Sequence, residues 1–300
     1  MEVTAKMVKD LREMTGAGMM DCKKALTEAE CDIDKAVDVL RTRGLAALAK
    51  KASRATNEGV VAAYVNENAT VGSLVEVNCE TDFVARNAEF LGFVNDLAAH
   101  IAATSPTDAD TLKAQVFTGR DLTVEQVLGE VVGKLGENIN LTRFSRREVS
   151  GIGMLGSYVH MGGKIGVIVE ASFTRPETAA KPEVATFIKD VAMQIAAAAP
   201  IAATRDEVSA DVVDHELSIY RAQAAESGKP EAIQEKMAEG RIQKFYKDVC
   251  LTEQCFVKDP DITISELTAR VSKEVGDRIA IAGFDRFALG ETGDSKPESC

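Results

Sequence analysis

Apolar residues recur at helical spacing three times within the first forty positions: Met7/Val8, Leu11 and Met14; Cys22, Ala25/Leu26 and Ala29; Ile33, Ala36/Val37 and Leu40. Steps of three and four place each set on one helix face. Three helices are therefore predicted, the first preceded by Thr4 and the third capped by Asp32. Gly16 and Gly18 break the chain after the first, and Gly44 is expected to end the third. Helices this short make a bundle with little core of its own, and the Ala/Lys-rich stretch 45–56 reads as its tether.

From residue 60 the pattern changes to runs rich in Val, Ile and Tyr, and the chain begins to match itself. Shifted by 94 residues, Val60–Pro106 lies on Met154–Pro200 without a gap, with 14 of 47 positions identical. Fixed-shift self-similarity of this kind indicates a repeated structural unit. Each copy predicts a β-hairpin, turning at Asn66-Glu-Asn68 or Gly162-Gly163. A helix follows, with Phe90, Phe93/Val94, Leu97 and Ile101 on one face, or Val184, Phe187/Ile188, Val191 and Ile195. The match resumes at a shift of 140, where Thr123, Val127, Gly136, Ile139 and Phe144 answer Thr263, Leu267, Gly276, Ile279 and Phe284. A second helix and a third strand are predicted there in both copies.

The change of shift leaves 46 additional residues in the second copy. Ser209 can cap one helix in them, and Gly228-Lys229-Pro230 can turn the chain into another. The insertion reads as a helical hairpin whose apolar seam is covered by its own two helices, by a second copy of the chain, or by a partner. The fold class is thus α+β: an N-terminal three-helix bundle followed by two duplicated α+β repeats, each a three-stranded antiparallel sheet with helices. The expected boundaries are 1–56 for the docking module and its linker, 57–150 for the first repeat and 151–290 for the second. The hairpin lies at about 205–250, and a polar tail at 291–300.

Charge narrows the function. The 300 residues carry a net charge of −12, which disfavours a general nucleic-acid binder because phosphate contacts need a basic footprint. Residues 1–56 differ, with 11 Lys/Arg against 9 Asp/Glu, and Arg41–Arg54 holds five bases and no acid. A contact with RNA or an acidic protein there is the alternative to a solvated face. The six cysteines form no CxxC pair and there are three histidines, so neither a zinc site nor another metal or cofactor is expected. No signal peptide or membrane-spanning run is read in the chain, and a cytoplasmic protein with no membrane partner is expected.

Gly151-Ile-Gly-Met-Leu-Gly156 satisfies GxGxxG. A dinucleotide fingerprint needs a helix after its glycines, whereas a strand, Ser157–Met161, is predicted here. No P-loop and no nucleophile elbow is present, so the chain is expected not to be an enzyme and no catalytic residue is assigned.

The two copies differ sharply at one place. Asn78–Ala85 aligns with Ser172–Ala179, and Thr81-Asp82-Phe83-Val84 has no counterpart. Either Thr81 or Asp82 caps a helix with Phe83 packed beneath it, or Phe83 is held out as an anchor. In a partner's pocket such an aromatic contributes ~2 kcal/mol or more.

Two stretches carry a resemblance. Thr15-Gly-Ala-Gly-Met-Met-Asp-Cys-Lys-Lys-Ala-Leu26 and Val77-Asn-Cys-Glu-Thr-Asp-Phe-Val84 look like signature segments of the elongation factor Ts family. Gly136-Glu-Asn-Ile-Asn140, Leu155-Gly-Ser-Tyr158 and Ser227-Gly-Lys-Pro230 are similar to further family segments in the same order, so the resemblance spans nearly the whole chain. It implies a guanine nucleotide exchange factor for elongation factor Tu in translation elongation, engaging the GDP-bound and nucleotide-free partner. Met19, Met20 and Lys23 would contact the partner's nucleotide-binding domain. Thr81, Asp82, Phe83 and Val84 would form the wedge, with Phe83 entering between partner helices and disturbing the magnesium and phosphate ligands. Leu135, Gly136 and His160 match positions expected near the partner. The inserted hairpin matches one associated with homodimers in some members. One departure is expected to remove a contact: the family's extra C-terminal helix is replaced after Gly290 by a polar run. The remaining alternative function is an RNA- or ribosome-binding module built on 41–54.

Overall fold

The computed structural model describes residues 2–291; the polar run 292–300, expected not to be helical, lies outside the described residues. The chain opens with α1 (Ala5–Thr15), α2 (Met19–Glu28) and α3 (Ile33–Lys51). The Thr4 hydroxyl accepts the Met7 N–H, and the Asp32 carboxylate accepts the Lys35 N–H. Val8, Leu11, Cys22, Ala25, Leu26 and Ala36 form the small buried core of this bundle.

The third helix does not stop at Gly44. It continues to Lys51, because Gly44 serves as a packing notch rather than a terminator. A Cβ built there would lie 3.0 Å from the Gly129 carbonyl oxygen, and one on Gly129 would lie 3.1 Å from the Gly44 carbonyl carbon. Two glycines let the helix backbones touch, so residues 45–51 are not a tether. Ala47 and Leu48 pack against the core of the unit that follows.

That unit contains β1 (Glu58–Val65), β2 (Val71–Cys79), α4 (Asp82–Ala85), α5 (Ala88–Thr104), α6 (Ala109–Ala114), α7 (Val124–Leu135) and β3 (Ile139–Glu148). Its antiparallel sheet has the order β1-β2-β3. Phe90, Phe93, Val94, Leu97 and Ile101 of α5, with Val127, Val131 and Val132 of α7, cover one face. The second unit has β4 (Gly153–His160), β5 (Ile165–Ser172), α8 (Pro182–Ala198), α9 (Ala210–Ala225) and α10 (Glu231–Val249). It closes with β6 (Cys255–Phe256), β7 (Asp259–Thr263), α11 (Ile264–Val275) and β8 (Ala280–Ala288). Its main sheet runs β4-β5-β8, and β6-β7 form a two-stranded ribbon. That ribbon and α6 were not foreseen from the sequence pattern. Both main sheets carry a register shift after a glutamate of the middle strand, at Glu76/Val77 and Glu170/Ala171.

The sheets pack together through Val61, Leu74, Leu155 and Ile168. The approach is close: a Cβ on Gly166 would lie 2.5 Å from Val61 Cγ1. Charged pairs line the same seam. Arg143 Nε donates to Glu76 at 2.7 Å, while Arg147 donates to Asp285 at 2.9 Å and to Glu170 at 3.4 Å. The GxGxxG stretch precedes and enters β4, not a helix, and a Cβ on Gly156 would overlap Ile188 at 2.2 Å. In the α9–α10 hairpin, Ala224, Ala238 and Ile242 are buried and Arg221 pairs with Glu235 at 2.6 Å. Its own helices cover that part of the seam, while Val212 and Ile233 remain exposed.

One buried polar group predicts an acid response. His100 on α5 is fully buried, with Nδ1 accepting the Thr118 N–H at 3.2 Å and Nε2 facing Gln115 Oε1 at 3.1 Å. These partners suit the neutral ring protonated at Nε2. Burial holds its pKa below the ordinary value, with the Gln115 hydrogen bond opposing it. A depressed folded pKa means that the stabilisation is complete above the unfolded value, about 6.5, and is lost as pH falls through the folded one. His100→Gln, which copies the aligned Gln194, should flatten that loss. Urea midpoints at pH 7.5 and pH 5 for both proteins check it, and an equal drop in both would overturn it.

Candidate partner-binding site

The corner between β2 and α4 is built from its own hydrogen bonds. Cys79 ends β2 fully buried; its thiol points at the Thr81 carbonyl at 3.2 Å, and burial pushes its pKa up to about 12. Thr81 is the N-cap of α4, its hydroxyl accepting the Val84 N–H at 3.4 Å. The same hydroxyl donates to Glu137 Oε1 at 2.6 Å, and the Thr81 N–H donates to Glu137 Oε2 at 3.0 Å. Next to it, Glu80 accepts the Asn138 N–H at 2.6 Å and an Arg54 N–H at 3.2 Å. The Asn138 N–H, with Arg54 adding to it, holds the Glu80 carboxyl below its usual range.

The four residues of the corner then face different ways. Thr81 caps, and Val84 is buried in the first core. Asp82 sits in the first turn of α4 and pairs with Arg86 at 3.1 Å. Phe83 does not pack beneath the helix: it is 83% exposed, above every other exposed large hydrophobic residue among those described. Thr81 therefore caps the helix, and Phe83 points outward from it instead of lying beneath it.

The bundle presents a second apolar surface. Cys22, Ala25 and Leu26 turn inward from α2, leaving Lys23 exposed and Met19 and Met20 60% and 63% exposed. Met14 joins them at 64%. The sequence pattern had placed Met14 on the buried face of α1, since it follows Leu11 by three. The αL cap at Gly16, φ 65°, turns the chain there, and no core side chain reaches over the last turn.

Leu135 and Gly136 end α7 between these two surfaces. Lys134, one residue earlier, approaches Gly16 so closely that a Cβ there would lie 2.6 Å from its Nζ. Glu137, one residue later, holds Thr81. Leu135 is half-buried against the first core, and Gly136 is the exposed αL cap at φ 77°. His160 is exposed at the end of β4, its Nδ1 2.9 Å from the Tyr158 hydroxyl. The following turn packs on β1: the Gly163 carbonyl accepts the Val61 N–H at 2.7 Å, and Lys164 pairs with Glu58 at 2.7 Å. Glu58 lies opposite Cys79 in the sheet register, so this turn and the Phe83 corner share one end of the first sheet. Met161, 73% exposed at the tip of that turn, was missed; a single Met beside two glycines carries no periodic signal.

The basic segment 41–54 is largely engaged within the molecule. Arg41 pairs with Asp38 at 3.6 Å, Arg43 with Glu28 at 2.6 Å and Arg54 with Glu80 at 3.2 Å, and Lys51 reaches the Val132 carbonyl at 3.5 Å. Among the described residues no helix is long and apolar enough to cross a membrane, and no cluster of three or more His, Cys, Asp or Glu could hold a metal ion.

Comparison with known proteins gives a consistent picture. The family model described as Elongation factor TS matches residues 80–291. A protein named Elongation factor Ts from Clostridium perfringens (strain SM101 / Type A) is 50% identical over 297 residues, covering 99% of this chain and 96% of that one. Its namesake from Trichlorobacter lovleyi is 47% identical over 300 residues, covering 100% of this chain and 96% of that protein. Another from Clostridium botulinum (strain Alaska E43 / Type E3) is 48% identical over 289 residues, 96% of this chain and 93% of that one.

Proposed function

This chain belongs to the elongation factor Ts family, and we propose that it serves translation elongation as the guanine nucleotide exchange factor of elongation factor Tu, with Phe83 as its wedge. The observation that carries the mechanism is the exposure of Phe83 on a corner that is otherwise pinned. Leaving a Phe in water forgoes about 1.5–3 kcal/mol of burial. Among the described residues the ring lies outside the buried core clusters, so a partner's pocket is the natural place for it.

Exchange of this kind requires no bond to be made or broken by the chain, and no residue is assigned a catalytic role. The factor must bind the nucleotide-free partner more tightly than the nucleotide-bound one, and linkage then weakens nucleotide binding by the same factor. Phe83 and Asp82 act at the magnesium and phosphate end of the partner's site, where displacing the ion removes a large local charge. Thr81 and Val84 hold the wedge. Met19, Met20 and Lys23 anchor the bundle on the partner's nucleotide-binding domain, with Leu135, Gly136 and His160 along the surface between and beside them.

The direct test is release of a fluorescent GDP analogue from elongation factor Tu with and without this chain. Acceleration supports the assignment, and its absence with a cognate partner overturns it. Division of labour between anchor and wedge makes a further prediction. Met19→Ser/Met20→Ser should raise the concentration for half-maximal exchange by about tenfold, the equivalent of ~1.4 kcal/mol of lost contact. The maximal rate should stay within about twofold, because an anchor contributes to binding in every state alike. A fall in maximal rate at unchanged half-maximal concentration would contradict this division.

A further inference from the structure

The corner that carries Phe83 has a counterpart in the second half of the molecule. There, Asp277 Oδ2 accepts the Arg175 N–H at 3.1 Å and the Thr178 hydroxyl at 2.5 Å, while its Oδ1 accepts the Thr174 hydroxyl. Positions 81 and 175 are equivalent at the shift of 94, and positions 137 and 277 at the shift of 140. In both halves, therefore, a carboxylate one residue beyond a glycine helix cap crosses to the same backbone N–H. The caps are Gly136 at φ 77° and Gly276 at φ 65°. The clamps correspond, but the tips differ: exposed Phe83 stands where the second half has exposed Glu177.

We propose that Glu137 is a positioning residue for nucleotide exchange, its carboxylate fixing the Thr81 cap and thereby the direction in which Phe83 is presented to elongation factor Tu. This rests on the assignment of Phe83 as the wedge. The helix that bears Phe83 has four residues, too few to hold itself, because a single turn orders several residues for very few hydrogen bonds. Its orientation must come from outside. Val84 and Ala85 supply one side by burial in the first core. Glu137 supplies the other through two hydrogen bonds to Thr81, both to an ionised acceptor and so stronger than neutral ones. Asn138 extends the clamp, donating its N–H to Glu80 and its side-chain amide to the Arg54 carbonyl at 2.8 Å. Both Glu137 oxygens are engaged by Thr81, so the carboxylate acts through the corner and not as a charge offered to the partner.

The test measures maximal GDP-release rate, half-maximal concentration and melting temperature for the full chain and for Glu137→Ala, Glu137→Gln, Phe83→Ala, the Glu137→Ala/Phe83→Ala double variant and Asp277→Ala. Glu137→Ala should lower the maximal rate about tenfold, less than removal of the ring itself, because a wrongly aimed ring keeps only part of its contact in the partner's pocket. It should also speed hydrogen exchange at the Thr81 amide. Glu137→Gln should recover most of the rate, because its amide can accept the Thr81 N–H and donate to the Thr81 hydroxyl oxygen. The double variant should be no slower than Phe83→Ala, since Glu137 acts through that ring. Asp277→Ala should lower the melting temperature and leave exchange unchanged. Glu137→Gln as slow as Glu137→Ala, additive losses in the double variant, or equal exchange losses in Asp277→Ala and Glu137→Ala would each overturn the inference. Normal exchange by Glu137→Ala beside a slow Phe83→Ala overturns it alone. Normal exchange by Phe83→Ala overturns the wedge assignment and this inference with it.

Discussion

Phe83→Ala is expected to slow stimulated GDP release from elongation factor Tu by about 30-fold, the equivalent of ~2 kcal/mol for an aromatic anchor removed from a partner's pocket. The fold should hardly notice. Phe83 is 83% exposed and outside the buried core clusters, while the cap at Thr81 and the burial of Val84 and Ala85 do not involve its ring. The melting temperature should therefore move by no more than surface substitutions usually do, about ±0.5 kcal/mol of stability. Stopped-flow release of a labelled GDP, with thermal unfolding of the same preparation, checks both halves. If melting and exchange fall together, Phe83 supports the fold and is not the wedge. Full exchange with unchanged melting would move the mechanism to the bundle and its Met19, Met20 and Lys23 surface.

Gly129→Val should produce the second large effect, on stability and exchange together. Its Cβ would lie 3.1 Å from the Gly44 carbonyl carbon and 3.2 Å from the Leu45 nitrogen. Backbone atoms cannot swing aside as a side chain can, and two further methyls deepen the conflict. Overpacking of this kind costs about 1–3 kcal/mol. The strain falls on the α3–α7 crossing, which attaches the bundle to the first sheet unit and so sets the Met19/Met20 surface relative to Phe83. A raised half-maximal concentration for exchange should accompany the lower melting temperature. Gly129→Ala is the milder control, because one methyl at that distance needs a shift of only a few tenths of an ångström. A Gly129→Val protein that melts and exchanges like the parent would mean that the helices separate without cost.

The structure adds a physical reason to the difference between the two halves. Glutamates at 76 and 170, shared at the shift of 94, both meet arginines in the seam between the sheets. Shared glycines at 72 and 166 lie where the sheets approach closely. Shared positions are thus occupied by packing and by charge pairing. Residues 81–84, which are not shared, include Phe83, the large hydrophobic side chain that the fold leaves most exposed among those described.

Local periodicity was sufficient for much of this molecule. Helical spacing, caps at Asp32 and Ser209, and polar turns depend on residues a few positions apart, and the corresponding helices and strands form. The same spacing failed at Gly44 and Met14. A glycine ends a helix or admits another backbone depending on what lies across from it, and Gly129 is 85 positions away. Met14 has the spacing of a core residue, yet no second layer covers it. The family could be read from the chain itself, because its signature residues, Thr81–Phe83 and Met19–Lys23 among them, stand in contiguous stretches. Only the tertiary structure decided which way Phe83 faces and what holds it there. Glu137 lies 56 positions from Thr81, and that contact exists because the end of α7 and the end of β2 are brought side by side by a core in which neither residue takes part.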